Sequence, residues 1–181
     1  MRNFNMYDVI FTDIDDTLIY GWWTRLMYIT WEFFHNNFVS DLLMLLQERF
    51  NIFTVNVPLV TKIDNCPVIV ALTARKKHNA TIRLLKKIFP DRLVFRFDDL
   101  VMGRVLADDR YGAVMLCELA TDDPAGEKWG VAYDILQMTS LENEYLPNCC
   151  IFDDNKDVRF IFSKMGYDAF DPTSFTEKKV A

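Results

Sequence analysis

Residues 7–20 read YDVIFTDIDDTLIY, a stretch in which an apolar run changes abruptly into acids. The segment 9–11 is hydrophobic with β-branched members, which is typical of a buried strand. Asp13, Asp15 and Asp16 come soon after it, where their carboxylates would repel one another and resist desolvation unless a cation compensates them. At the carboxyl end of a strand in an open α/β sheet, they would lie where such sheets bind ligands. A solvated turn is the alternative interpretation, but a turn does not require the same acid at two positions one residue apart.

A second apolar run near the end of the chain has the same form. Residues 148–158 read NCCIFDDNKDV, in which a short hydrophobic segment precedes Asp153 and Asp154, with Asp157 shortly after. Two acid clusters at the ends of two separate buried strands imply one shared cation. Hard carboxylate oxygens favour Mg²⁺, so magnesium is the predicted metal.

The middle of the chain places a hydroxyl and a guanidinium after another apolar run. Residues 68–72 form a short continuous hydrophobic segment that ends in Thr73, which is typical of a parallel strand covered on both faces. A helix is predicted over 76–89, and a hydroxyl before a helix N-terminus suits a phosphate oxygen. Arg75 follows directly, and its planar guanidinium suits bidentate binding of a substrate phosphate or carboxylate. The other basic residues of this helix are interpreted as a solvated face.

A lysine precedes the helix that leads to the second acidic run. Lys128 lies just before a helix predicted over 131–138. A lysine at a helix start opposes the helix dipole, so its position needs a reason beyond helix stability. An ordinary surface lysine is the alternative, and Lys156 is a competing candidate for a functional cation.

The order of these segments resembles that of a known superfamily. DIDDT at 13–17 is similar to the first motif of the haloacid dehalogenase superfamily of phosphotransfer enzymes, written DxDxT after a hydrophobic strand. Thr73 fits the second motif, a Ser or Thr at a strand end, and Lys128 fits the third, a lysine near the start of the helix before the last acidic strand. FDD at 152–154 fits the fourth motif in its paired-acid form, where many members have Gly-Asp. The four motifs occur in order from the first strand to Asp157.

The resemblance implies a phosphatase that works in two steps. Asp13 would attack phosphorus and form an aspartyl-phosphate, while Asp15 would protonate the leaving oxygen and then activate water. Thr73 and Lys128 would hold the transferring oxygens. Apart from the resemblance, Arg75 is a candidate for binding the substrate phosphate. Members that lack the second aspartate include dehalogenases, whereas those that have it are mostly phosphatases, so phosphatase is the predicted activity.

The resemblance also implies the metal ligands. Mg²⁺ would be held by Asp13, Asp153 and the backbone carbonyl of Asp15, with Asp154 as a further candidate. Because this chain has the paired-acid form, it stays open whether Asp153 alone, or also Asp154 or Asp157, contacts the metal.

The predicted fold is α/β, a three-layer Rossmann-like parallel sheet with helices on both faces, in a single domain over 1–181. A small helical cap is predicted as an insertion after the first strand, over approximately 20–60. The resemblance implies a short flap over the site at GWW, 21–23. Apolar residues at helical spacing over 27–50 predict one or two helices. Either tryptophan is a candidate gate residue, with ordinary core or interface packing as the alternative. A plain packing face or a homodimer contact through this aromatic segment is the alternative to a cap.

The remaining segments are less distinctive. Residues 51–65 are interpreted as a connector broken by prolines, and 92–97 as the next strand. The long segment 98–127 has an internal pattern, in which 104–107 and 113–119 are predicted to pair as a hairpin. That hairpin would form an edge elaboration or a second small lid.

Composition limits the classes of protein and partner. The 181 residues are 51% hydrophobic and 25% charged, which fits a packed core rather than disorder. A net charge of −6 argues against a general binder of nucleic-acid backbones, so no stable nucleic-acid complex is expected. Four cysteines without CxxC spacing and two histidines without spaced partners argue against zinc and for buried thiols in a reducing compartment. The most membrane-like stretch, 22–46, is interrupted by charges and the N-terminus does not fit a signal peptide, so a cytoplasmic protein without a membrane segment is predicted.

The predicted substrate follows from the aromatic cap. A small cap suits a small or medium phosphomonoester, and its rings have faces on which a nucleobase would stack. A nucleotide or nucleic-acid end, or another small phosphorylated metabolite such as a sugar phosphate, is therefore expected. Two alternatives stay open: a phosphotransferase or phosphomutase with the same aspartyl-phosphate chemistry, and a non-catalytic phosphate-binding protein on the same fold.

Overall fold

A computed structural model of the chain describes residues 4–23, 25–26, 29, 37–75, 78–97, 112–119, 124–143 and 145–175. The strands within these ranges are β1 (Val9–Thr12), β2 (Ile19–Tyr20), β3 (Thr54–Val55), β4 (Val68–Thr73), β5 (Leu93–Arg96), β6 (Ala113–Glu118), β7 (Cys149–Phe152) and β8 (Asp168–Phe170). β2 and β3 pair antiparallel as a separate ribbon, while the other six form one parallel sheet in the order β5-β6-β4-β1-β7-β8. The helices with defined bounds are α1 (Asn37–Phe50), α2 (Val57–Ile63), α3 (His78–Ile88), α4 (Pro124–Asn143) and α5 (Lys156–Lys164).

Helices cover both faces of the sheet, as the continuous apolar runs predict. All residues of β1, β4 and β7 are buried, which is the pattern of parallel strands enclosed on two sides. Successive residues of β1 point to opposite faces: Ile10 belongs to one core cluster with Leu84 of α3, and Phe11 to another with Phe162 of α5. The α/β architecture with a helix-flanked parallel sheet is therefore confirmed. Among the described residues, no helix combines the length and hydrophobicity needed to cross a bilayer.

The prediction for 113–119 is wrong. β6 is not part of a hairpin at the sheet edge; it lies between β5 and β4 and runs parallel to both. It pairs with β4 from Ala113 opposite Val68 to Glu118 opposite Thr73, and its first four residues are buried. The apolar run 113–118 is therefore an internal strand of the parallel sheet, between β5 and β4. The predicted partner strand at 104–107 lies outside the described residues.

Residues 51–65, predicted as a connector, contain β3 and α2. Pro58 was expected to break regular structure, but it lies in the first turn of α2, where a missing backbone N–H is tolerated. Asn56 caps this helix, because its Oδ1 accepts from the backbone N–H of Leu59 at 3.3 Å. The Asn56 Nδ2 also donates to the carbonyl of Thr17 at 3.1 Å. The cap residue therefore fastens α2 to the loop that follows β1.

Residues 21–53 connect β2 to β3 in the sequence, and α1 lies within this segment. Within this segment, α1 packs against α3. The buried Glu48 of α1 contacts Arg83 and Lys87 of α3, each with a nitrogen–oxygen distance of 3.0 Å. A charged contact therefore helps to hold α1 against α3.

Glu48→Gln is expected to lower the free energy of unfolding at neutral pH. Burial works against the charged carboxylate, but hydrogen bonds and charges from Arg83 and Lys87 outweigh it and hold the pKa of Glu48 below its ordinary value of 4.5. Losing these bonds should cost about 1–2 kcal/mol, since both partners remain partly solvated. A group with a depressed pKa stabilises the fold fully above its unfolded pKa, so the difference between the two proteins should shrink as the pH falls below 4.5.

Urea unfolding of wild type and Glu48→Gln near neutral pH and in acid measures this difference. Asp91→Asn, at an exposed position, is the control and should leave the free energy of unfolding unchanged. Equal stabilities of wild type and Glu48→Gln at neutral pH would contradict the prediction.

Candidate functional site

Three predicted site residues lie at one edge of the sheet, where β4, β1 and β7 end as neighbours. Thr73 ends β4, Asp13 follows β1 and Asp153 follows β7. The backbone N–H of Asp13 donates to the carbonyl of Phe152 at 3.0 Å, which ties the two acidic loops together. Because the carboxyl ends of parallel strands meet at the same edge, the two sequence-distant groups of acids become neighbours.

Three carboxylates form a compact group at this edge. One oxygen from each of Asp13, Asp153 and Asp154 lies within 4.8 Å of the others. The side chain of Asp153 is fully buried and that of Asp13 is 15% exposed, while Asp154 is exposed. Asp153 is also fixed locally, since its Oδ1 accepts from the backbone N–H of Asn155 at 2.9 Å.

Lys128 joins the two acidic loops. Its Nζ lies 2.6 Å from Asp153 Oδ2 and 3.2 Å from Asp13 Oδ1, and its side chain is buried. Burial disfavours the ammonium, but Asp13 and Asp153 outweigh that effect and raise the pKa of Lys128 above its ordinary value. The helix begins earlier than predicted, at Pro124, so Lys128 lies just beyond its first turn rather than before it. Lys156, the competing candidate, is exposed at the start of α5.

The charges of this group do not balance. Burial, together with Asp153, Asp15 and Asp154, raises the pKa of Asp13 to about 8, and Lys128 offsets only part of the effect. Burial and the charges of Asp153 and Asp16 likewise raise the pKa of Asp154 to about 6. Three carboxylates beside one ammonium leave an excess of negative charge that a divalent cation would neutralise. An all-oxygen donor set of this kind fits Mg²⁺.

Asp157 lies apart from the three-carboxylate group. It occupies the first turn of α5, where a negative charge suits the helix dipole. Its backbone N–H donates to Oδ1 of the capping residue Asn155 at 2.9 Å. The position of Asp157 is therefore explained by helix capping, and Asp157 is not among the three carboxylates that converge.

Asp15 and Arg75 form a pair beside this group. Arg75 donates from Nε to Asp15 Oδ2 at 2.8 Å and from Nη2 to Asp15 Oδ1 at 2.6 Å, so the contact is bidentate. The same Nη2 donates to Oε1 of Gln47 at 2.7 Å. Arg75 therefore binds a carboxylate of the chain itself, and its contact with a substrate phosphate or carboxylate stays a prediction.

Gln47 was not predicted as a site residue. It comes from α1, within the segment 21–53, and is buried. Its Nε2 has no hydrogen-bond partner in the described part of the chain, although its Oε1 binds Arg75. In the sequence, Gln47 is one polar residue within an apolar helical run, and its contact with Arg75 depends on how α1 packs.

Thr73 and Asp16 shape the loops at the strand ends. The buried hydroxyl of Thr73 accepts from the backbone N–H of Arg75 at 3.2 Å, which holds the turn after β4. Asp16 has a φ of 54°, in the left-handed region that aspartate tolerates better than most residues. Beyond it, the N–H groups of Leu18 and Ile19 both donate to the carbonyl of Ile14 at 3.0 Å. This tight turn places Asp13 and Asp15 on the first loop.

The two candidate gate residues lie in contact with each other. Their rings are edge to face, with centroids 5.0 Å apart. Trp23 donates from Nε1 to the carbonyl of Leu43 in α1 at 3.0 Å, whereas Trp22 is 65% exposed. Trp23 is therefore anchored to α1, and the gate function of either ring stays a prediction.

The arrangement has the parts needed to bind a phosphate and a divalent cation together. Asp13 is a mostly buried carboxylate with Lys128 beside it, and Asp153 and Asp154 add two further carboxylates. Thr73 and Arg75 lie at the end of the adjacent strand.

A scan of protein-family models finds no match to this chain, and searches of curated proteins and of solved structures find none.

Proposed function

We propose that this protein is a Mg²⁺-dependent phosphatase that hydrolyses a small phosphomonoester through an aspartyl-phosphate on Asp13. The observation that carries the proposal is the position of Lys128 Nζ, 3.2 Å from Asp13 and 2.6 Å from Asp153. A buried ammonium between a candidate nucleophile and a second acid suits a site where negative charge accumulates during reaction. The raised pKa of Asp13 supports the same interpretation. Burial and the neighbouring carboxylates raise it, and Lys128 does not supply enough positive charge to offset them.

The magnesium ion would be held by Asp13, Asp153 and Asp154, with the backbone carbonyl of Asp15 as a further ligand. When bound, Mg²⁺ would act as a Lewis acid and neutralise charge between the nucleophile and the phosphate. The excess of carboxylates over ammonium groups in this cluster supports a divalent ion.

In the first step, an oxygen of Asp13 attacks phosphorus, the bond from phosphorus to the ester oxygen breaks, and Asp15 gives a proton to the leaving oxygen. In the second step, water attacks the same phosphorus, Asp15 accepts its proton, and the bond to Asp13 breaks with release of phosphate. Thr73 and Lys128 bind the transferring oxygens. Arg75 holds both oxygens of Asp15 in the structure, and its turning towards the incoming phosphate would free Asp15 for proton transfer.

In this proposal, the cap predicted over approximately 20–60, which contains α1, covers the site. Its support is the bond between Gln47 of α1 and Arg75, which brings the segment to the residues that surround Asp15. The exposed ring of Trp22 lies on the same segment and offers a face for a nucleobase. A nucleotide or another small phosphorylated metabolite is therefore the proposed substrate class, and a homodimer through this segment stays a prediction.

Release of inorganic phosphate from a panel of nucleotides, sugar phosphates and an aryl phosphate tests the proposal. We expect turnover with Mg²⁺ and a loss of about 100-fold or more when EDTA removes it. Turnover that rises with an added alcohol acceptor would instead identify a phosphotransferase. Absence of phosphate release from every compound by folded, Mg²⁺-loaded protein would contradict the proposal.

A further inference from the structure

Arg159 fastens the loop that carries two of the proposed metal ligands. Its Nη1 donates to the backbone carbonyls of Asp153 and Asp154, at 2.7 Å and 2.6 Å. Its Nη2 lies 3.1 Å from Oδ2 of Asp171, which follows β8. One guanidinium therefore links α5, the loop after β7 and the residue after β8.

The backbone contacts matter because the side chain of Asp154 is exposed, while its carboxylate is one of the three that converge. Asp153 has further anchors, since its carboxylate accepts from Asn155 and from Lys128. The place of the Asp154 carboxylate depends mainly on the backbone of this loop, and Arg159 binds that backbone at both acidic residues. One terminal nitrogen of the guanidinium binds both carbonyls while the other reaches Asp171, and a single ammonium cannot hold all three contacts in this planar arrangement.

The place of Arg159 in its own helix argues against a merely local role. It lies in the first turn of α5, where the helix dipole disfavours a cation. The contacts with the loop and with Asp171 offset that disadvantage.

We infer that Arg159 is a positioning residue that sets the geometry of the Asp153 and Asp154 carboxylates for a divalent cation. The inference rests on the proposed function, since it assumes that these carboxylates hold Mg²⁺. Partners that orient metal ligands from outside the coordination sphere typically change metal affinity by about 10–100-fold when they are removed.

The test is the dissociation constant of Mg²⁺, measured by calorimetry on the substrate-free 181-residue chain. Arg159→Lys keeps the charge but loses the fork, and we expect it to bind Mg²⁺ about 10–100-fold more weakly than wild type. Asp171→Asn removes the ion pair but keeps both carbonyl contacts, so its affinity should change much less. If Arg159→Lys does not fold, Arg159→Gln takes its place in the comparison, because the glutamine amide keeps one NH₂ donor group.

Arg92→Lys is the matched control. Arg92 also binds backbone carbonyls, those of Asp64, Cys66 and Pro67 at 2.7, 2.6 and 3.0 Å. These carbonyls precede β4, so they lie at the amino ends of the parallel strands, away from the proposed metal site at the carboxyl ends. Its substitution should reduce stability without changing Mg²⁺ affinity.

Wild-type affinity in folded Arg159→Lys would overturn the inference. Failure of the wild type to bind Mg²⁺ would count against the proposed function instead. In that case, amide hydrogen exchange at residues 153–155 decides the positioning role: faster exchange in Arg159→Lys supports it, and unchanged exchange overturns it.

Discussion

Asp13→Asn is expected to reduce turnover of phosphomonoesters by at least about 10³-fold. An amide oxygen is a poor nucleophile compared with a carboxylate, so the aspartyl-phosphate cannot form. The variant should remain folded, because asparagine matches aspartate in size and one of three converging carboxylates is removed. Phosphate release and thermal unfolding, measured on the same preparation, separate the loss of chemistry from loss of structure.

The control for this experiment is Asp134→Asn, an exposed position on α4 that should leave turnover unchanged. A second measurement addresses the intermediate directly. Wild type quenched in acid during turnover should carry phosphate on Asp13 by mass spectrometry, and Asp13→Asn should carry none. Turnover of Asp13→Asn within tenfold of wild type would rule out Asp13 as the nucleophile.

The central strands could be predicted from local sequence because each is an apolar run enclosed on both faces. β1, β4 and β7 all have this form, and each was expected to end at a polar site residue. β6 has the same form, but its place between β4 and β5 depends on pairing with residues distant in sequence. The sequence segment 98–127, which contains β6, is longer than an ordinary loop, so its local pattern favoured a hairpin at the sheet edge. Pro58 was expected to interrupt regular structure, but proline is also favoured in the first turn of a helix, where its missing N–H costs nothing. Local sequence alone does not distinguish these two positions.

The sequence predicts the site residues that lie at the ends of apolar strands. Asp13 and Asp153 meet because β1 and β7 are adjacent and parallel, and Lys128 reaches both from the following helix. Gln47 and Arg159 act through contacts that leave no local signature: one binds Arg75 from an inserted helix, and the other binds backbone carbonyls. Such residues are found only when the packing of the elements is known.

Lys128→Met is expected to destabilise the Mg²⁺-free protein by about 3–5 kcal/mol, a large share of the stability of a typical domain. The variant would leave Asp153, whose side chain is fully buried, and Asp13 without their shared ammonium. Mg²⁺ should then raise the melting temperature of the variant by more than that of wild type, because the carboxylates have no other cation. Turnover should stay about 10²–10³-fold below wild type even with saturating Mg²⁺, since the transferring oxygens lose a donor.

Lys156→Met is the matched control, because Lys156 is the exposed lysine that the sequence alone left as a competing candidate. It should change neither the melting temperature nor the turnover. A result in which Lys156→Met loses activity and Lys128→Met keeps both stability and activity would transfer the cationic role to Lys156. Since the Lys128 ammonium contacts both acidic loops at once, its removal tests whether those loops work as a single site.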